Sequence, residues 1–164
     1  FAAAGLEIPT TYEEFVDVLD AFVAQGVTPL AEAGAEYPLG QLWYQLALLE
    51  GDRSFVDSYQ LYDGEVDWQG PAVTAATETP QEYMDKGYIA SDVSSVKAED
   101  AGVSFINGTS PIFVSGSWWY GRFVAEETGF DWTMTAFPGS DLSLGSSGNL
   151  WVVPENAKNK ELAH

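Results

Sequence analysis

Between Thr11 and Gly26 the apolar side chains Phe15, Val18, Leu19, Phe22 and Val23 recur at the i, i+3, i+4, i+7, i+8 spacing of one buried helix face. Thr11 followed three residues later by Glu14 is a capping box, which fixes where that helix starts, and Gly26 is placed to end it. Glu13, Glu14, Asp17 and Asp20 take the other face or the first turns, where negative charge is favoured. Val27 to Ala31 then suits a short buried strand and Gly34 to Gly40 a loop. A second helix is predicted from about Leu39 to Glu50, with Leu42, Trp43, Leu46 and Leu49 inward and Gly51 as its stop.

Asp63-Gly64 marks a turn, and Gly70-Pro71 opens a third helix that runs to Lys86 and closes at Gly87. Pro80 lies inside it, so a kink or a break into two pieces is expected near Glu78-Thr79. Lys97 to Asn107 reads as a fourth helix ending at Gly108, and Ser117 to Glu127 as a fifth. Ile112 to Ser115, Trp132 to Phe137 and Asn149 to Val153 read as strands. Helices and strands interleave along the whole chain, which predicts an α/β domain with helices packed on a mixed sheet.

Composition narrows the function classes. With 25 acidic against 6 basic side chains the formal charge is −19, a field that repels phosphate backbones and anionic lipid, so nucleic acid is not an expected partner. The absence of cysteine removes disulfides, thiolate chemistry and zinc-thiolate sites together. No apolar run reaches the roughly 18 to 20 residues of a membrane-spanning helix, and Phe1 to Pro9 lacks the basic start and apolar stretch of a signal peptide. Both ends read as cuts within a longer protein, since the chain opens in mid-pattern and stops at Ala163-His164 inside a new helix.

The stretch Gly116-Ser117-Trp118-Trp119-Tyr120 stands where a strand gives way to a helix. At about 100° per residue, Trp119, Tyr120, Phe123 and Val124 fall on one side as a core face, while Trp118 shares the polar side with Arg122 and Glu126. Two arrangements fit. Trp118 offers its ring as a platform for a sugar, whose apolar C–H face and hydroxylated rim suit an indole edged by polar groups at the C-terminal end of a strand. Alternatively, Trp118 packs on Arg122 by cation–π contact. Tyr37, Trp43, Tyr44, Trp68 and Trp151 are further aromatic candidates, Tyr37 foremost because it lies in a Gly-flanked loop.

Leu6-x-x-Pro9-Thr10-Thr11-Tyr12-Glu13-Glu14-Phe15, Gly26-Val27-Thr28-Pro29-Leu30, Gly87-Tyr88-Ile89, Phe105-x-Asn107-Gly108, Gly116-Ser117-Trp118 and Pro154-x-Asn156-x-Lys158-Asn159-Lys160-Glu161 follow one another in this order. Together they resemble the family 1 extracellular solute-binding proteins of ABC importers, the maltose-binding-protein-like group. The likeness covers essentially the whole chain. It implies one lobe of a two-lobed, periplasmic-binding-protein-like (type II) fold, with residues 1–145 as the second, ligand-binding lobe. Residues 146–164 would be the interlobe crossover strand and the start of a helix of the first lobe.

The resemblance implies a non-enzymatic, substrate-binding component that takes a sugar or oligosaccharide by aromatic stacking and interlobe closure, then passes it to membrane permease subunits. It implies no cofactor or metal, and an extracellular or periplasmic lipoprotein anchored through an N-terminus outside the sequence. The stacking aromatic falls at Trp118, with Ser117, Trp119, Tyr120 and Arg122 beside it; the ligand-facing loop falls at Glu36 and Tyr37, with Trp43 following; the crossover falls at Ser146-Ser147-Gly148-Asn149, which puts Ser147 and Gly148 at the ligand. Thr109-Ser110-Pro111 departs from the lysine and small residues usual there, and Pro80 interrupts a helix usually continuous. The isolated lobe is expected to self-associate through its uncovered crossover strand.

The rival classes are a carbohydrate-active enzyme domain and a structural interaction domain. Glycoside hydrolysis needs two carboxylates at a set separation, which 25 acidic residues neither support nor locate. Gly145-Ser146-Ser147-Gly148 lacks the G-x-S-x-G spacing, and the only histidine is His164. Asp63-Gly64-Glu65-Val66-Asp67 alternates acids as a calcium loop does, without the glycine position and distal glutamate of an EF-hand, and reads as a surface turn. Gly145 to Gly148 has no following lysine to make it an anion cradle.

Overall fold

The capping box forms as the sequence dictates: Glu14 N–H donates to Thr11 Oγ1 at 3.2 Å and Thr11 N–H returns to Glu14 Oε2 at 3.1 Å. In the computed structural model, which describes residues 1–126, 128–142 and 153–163, helix α1 therefore begins at Tyr12 and runs Tyr12–Ala24. Phe15, Val18, Leu19 and Phe22 are buried on its inner face. Phe15 and Leu19 join a core that also takes Leu30, Leu42, Leu46, Tyr83, Tyr88 and Ile89, with Ile112 and Val114 packed against it.

Helix α2, Pro38–Glu50, is the centre of that core. The sequence predicts a single inward stripe, but Tyr44, Gln45, Ala47 and Leu48 are buried along with Leu42 and Leu46, so water is excluded from most of its circumference. A helix apolar nearly all round behaves in this way. Helix α4, Pro71–Asp85, packs on it, joined by the Trp43 Nε1–H bond to Thr77 Oγ1 at 3.2 Å. Of the kink or break expected at Pro80, the break does not occur: α4 is continuous through a buried Pro80. One lost N–H leaves the surrounding turns intact while the ring fills core space.

Helix α3, Arg53–Gln60, has no counterpart among the predicted elements. Its signal was present in Asp52, whose side chain accepts from Phe55 N–H at 3.0 Å as an N-cap. Helix α5, Ala98–Ile106, lies within the expected span, with Lys97 and Asn107 as its caps. The fifth predicted helix is two elements, a 3-10 turn at Ser117–Trp119 followed by α6, Tyr120–Ala125. A short α7 covers Lys160–Ala163.

The expected sheet is reduced, among the described residues, to one parallel bridge between Leu30 and Ile112. Ala31 N–H donates to Ile112 O at 2.8 Å, Ile112 N–H donates to Pro29 O at 3.0 Å, and on the other side Leu30 N–H donates to Tyr88 O at 3.0 Å. Trp132 to Phe137 forms no ladder there; Phe137 instead sets its ring 5.1 Å from Phe15, and Gly139 N–H bonds Thr10 O. Of the predicted strand Asn149 to Val153, all but Val153 lies outside the described residues.

A second packing centre joins α5 to α6. Ile106, Trp119 and Phe123 are buried together with Phe113 and Phe105 against them. Gly102 makes this possible: a Cβ there would stand 2.1 Å from the Trp119 ring. In an exposed helix, glycine to alanine stabilises by about 1 kcal/mol, whereas overpacking costs about 1–3 kcal/mol. Gly102→Ala is therefore expected to lower the urea unfolding midpoint; a midpoint raised by the helix-propensity gain would contradict this packing.

Glu32 is buried at 4% exposure in the segment that leads from the Leu30 bridge to α2. Neither carboxylate oxygen has a hydrogen-bond partner of good geometry. Burial pushes its carboxyl up from an ordinary 4.5 to about 8, against a smaller opposing pull from the Ala33 N–H. Between those two values the folded chain holds a proton that the unfolded chain releases, so this residue's contribution to stability falls as pH rises through the window. Glu32→Gln is expected to match the parent's melting temperature near pH 4.5 and to exceed it by several degrees at pH 8. Parallel pH profiles for the two proteins would refute this assignment.

Candidate functional site

Two segments meet at one edge of the molecule because of the Leu30–Ile112 bridge. The first is the loop after Ala33, tied down by Gly34 N–H to Val93 O at 2.8 Å, Ala35 N–H to Val96 O at 3.1 Å and Leu39 N–H to Ala33 O at 3.0 Å. It ends at Tyr37, the N-cap of α2, with Pro38 at the first helical position. The second runs from Ile112 to Gly116 and turns into the Ser117–Trp119 3-10 helix.

At their junction Trp118 Nε1–H donates to Tyr37 Oη at 3.2 Å, and the two rings stand 6.0 Å apart at 68°, edge to face. Trp118 remains 58% exposed. Its ring folds over Gly116, where a Cβ would come within 2.0 Å of it. The Gly-Ser-Trp order thus has a steric reason: glycine two residues earlier leaves room for the indole close against its own backbone, while much of the side chain stays exposed. Ser117 beside it is exposed.

The neighbouring residues take other roles. Trp119 is 7% exposed and packs against Phe113 and Phe123 at 5.2 and 5.9 Å. Arg122 lies over Trp119 at 5.1 Å, not over Trp118, and pairs with Glu99 and Glu126. The cation–π alternative for Trp118 is therefore not what the chain adopts. Tyr120 and Val124, expected in the core face, are exposed. The 3-10 turn advances the chain by three residues per turn, so the inward face falls on Trp119 and Phe123 and rotates Tyr120 out, where its ring meets Trp132 at 5.5 Å.

Glu36 does not point an unengaged carboxylate from the loop. Its Oε2 accepts the Ala98 N–H at 2.8 Å, capping the N-terminus of α5, where negative charge is favoured and Lys97 offers no side-chain cap. It holds the Tyr37 loop on α5. Trp43 is not brought to the junction; it bonds Thr77 and packs against Tyr59 at 5.7 Å. Ser147 and Gly148 lie outside the described residues. Sequence reasoning missed Gly116 and Gly102 as the sockets of the two tryptophans; Gly116 stands two residues before Trp118, whereas Gly102 lies on another helix and carries no local signal for Trp119. An acidic trio at Asp63, Glu65 and Asp67 is not gathered: Asp67 Oδ1 accepts the Gln69 N–H at 3.1 Å within its own turn.

Residues 1–164 match the profile of the family described as bacterial extracellular solute-binding protein. Among curated relatives, the xylose/arabinose-binding protein XacG of Haloferax volcanii is 28% identical over 98% of this chain and 36% of its own length. The multiple sugar-binding protein of Streptococcus mutans is 26% identical over 99% of this chain and 40% of its own. This chain thus spans well under half the length of these relatives. Among solved structures, a chitin oligosaccharide binding protein superposes with a TM-score of 0.74 at 20% identity, covering 86% of this chain and 35% of that one, a likeness of fold. With the match running from the first residue to the last, the chain belongs to the bacterial extracellular solute-binding proteins.

Proposed function

We propose that this chain is the ligand-gripping lobe of a substrate-binding component of an ABC importer, and that it takes a sugar or oligosaccharide on Trp118. The observation that carries the reading is the exposed indole, locked by Tyr37 and seated on Gly116 at the end of the Ile112 segment. An aromatic ring kept in water just beyond the bridged Ile112 segment, with its N–H and a tyrosine hydroxyl at the rim, has the geometry a pyranose needs: an apolar face to stack on and polar edges for its hydroxyls. The printed descriptions of the relatives, a xylose/arabinose-binding and a multiple sugar-binding protein, support the same ligand class.

In this reading residues 1–145 form the second lobe and 146–164 the crossover to the first, with Ser147 and Gly148 adding contacts and the missing part of the protein completing both the mixed sheet and the clamp. Closure of two lobes around a ligand by hinge motion is an established mode for periplasmic binding proteins. The same reading takes the protein to be extracellular or periplasmic and lipid-anchored, with permease subunits as its partners, and not an enzyme. Glu36 serves in it by fixing the loop, Tyr37 by orienting the indole, and Trp119 and Arg122 by bracing the turn from behind.

Trp118→Ala is expected to weaken sugar binding by the intact protein at least tenfold, about 1.4 kcal/mol, in calorimetric titration. Because the ring is exposed, the melting temperature should stay within a few degrees. Loss of stability with unchanged affinity would make Trp118 a packing residue and remove the basis of the reading.

A further inference from the structure

A second aromatic surface lies on the flank of α3, apart from the Trp118–Tyr37 pair. The loop from Leu61 to Gly70 returns past α3 and leaves a groove of about 610 Å³, within the range of about 300–1,000 Å³ typical of small-molecule sites. Its rings are Tyr59, Tyr62 and Trp68. Tyr59 is rigidly held, stacked on Tyr44 at 5.0 Å and on Phe55 at 5.5 Å, and it meets Trp68 edge to face at 6.2 Å. Trp68 is 63% and Tyr62 90% exposed.

Tyr62 occupies a position where a glycine would be cheaper. It follows the Leu61 C-cap of α3 with φ 58, the one non-glycine residue with positive φ among the described residues. A bulky side chain in left-handed backbone carries a conformational cost, and such outliers concentrate at functional sites. Asp63 N–H to Asp57 O at 2.9 Å holds the turn in this conformation. The cost is accepted for a side chain that is almost wholly in solvent, so core packing does not explain it.

The lining chemistry selects the ligand. The side chains facing the groove are the three rings, the hydroxyl of Ser58, the amide of Gln60 and the aliphatic Val66, and none of them is charged. The acids of the loop, Asp63, Glu65 and Asp67, stand outside the lining with no base among residues 61–70. They disfavour a sulfated or phosphorylated polymer. Flat rings with uncharged hydrogen-bonding neighbours fit a neutral saccharide.

We propose that the groove between α3 and the Leu61–Gly70 loop is a second contact surface for a neutral saccharide chain, with Trp68 and Tyr62 as its ring platforms. The proposal rests on the sugar-binding reading, and its test separates the two. Indole N–H resonances of the chain, with those of Trp68 and Trp118 identified by Trp68→Phe and Trp118→Phe, are followed by NMR during titration with maltohexaose, xylohexaose and N-acetylchitohexaose.

A dose-dependent shift of the Trp68 resonance by at least one of these sugars is expected, and it should persist in Trp118→Ala. Tyr62→Gly should weaken that response at least fivefold without lowering the melting temperature, because glycine relieves the left-handed backbone. A Trp118 response with Trp68 unmoved would overturn this proposal and leave the sugar-binding reading standing. A Trp68 response with Trp118 unmoved would uphold the groove and overturn the assignment of the main site to Trp118. No response from either indole would overturn both. A heptalysine peptide or a sulfated hexasaccharide that moves Trp68 more strongly than the neutral sugars would overturn the ligand class.

Discussion

The backbone pairing of Pro29–Ala31 with Ile112 is the constraint on which the rest of the structure depends. Two hydrogen bonds, Ala31 N–H to Ile112 O at 2.8 Å and Ile112 N–H to Pro29 O at 3.0 Å, join segments far apart in the chain, and the Tyr88 carbonyl satisfies the opposite edge. Alternating side chains then divide the interior. Leu30, Ile112 and Val114 meet α1, α2 and α4 on one side, while Ala31, Ala33 and Phe113 meet α5 on the other. Extended backbone places successive side chains on opposite faces, so one pairing sets both packing centres. It also sets the register that carries the chain onward to Tyr37 on one strand-like segment and to Trp118 on the other.

From that register the candidate site follows by local steric fits. Gly116 receives the Trp118 ring and Gly102 receives Trp119, so adjacent tryptophans point to opposite environments, one into water and one into the interior. Arg122 braces Trp119 from outside while tied to Glu99 and Glu126. Glu36 pins the Tyr37 loop to the start of α5. The result is an exposed ring held in place before any ligand arrives, which lowers the ordering cost that binding would otherwise meet.

Much of this was legible in the sequence, for identifiable reasons. α1 was readable because Thr11, Glu14 and the Phe15–Leu19–Phe22 stripe are local signals that tertiary packing reinforces. The meeting of Trp118 with Tyr37 was not legible: the resemblance assigned each separately to the ligand side, and nothing local links residues that far apart. α3 escaped notice because its Asp52 cap is a single side chain before a short helix with no buried residue. Tyr120 was assigned inward because a uniform 100° step ignores the 3-10 turn that precedes α6. That Trp43 turns to Thr77 of α4 and not to the Trp118–Tyr37 junction could not be read from the sequence, because α2 is apolar nearly all round and its pattern does not say which aromatic faces which neighbour. The cost of burying Glu32 was equally invisible, because an acid following Leu30-Ala31 reads as a polar residue at a strand's end until its surroundings are known.

The central claim is that Trp118 presents its ring face to a sugar. Saturation-transfer NMR from the chain to a neutral oligosaccharide at millimolar concentration reads that contact directly, since protons are ranked by their closeness to the protein. In a Trp68→Ala background, which removes a ring of the second groove, strongest saturation of the axial C–H protons on one face of a single pyranose, lost when Trp118 is also replaced by alanine, is the predicted result. Saturation spread evenly over the sugar in that background, or unchanged when Trp118 is replaced by alanine there, would contradict the account.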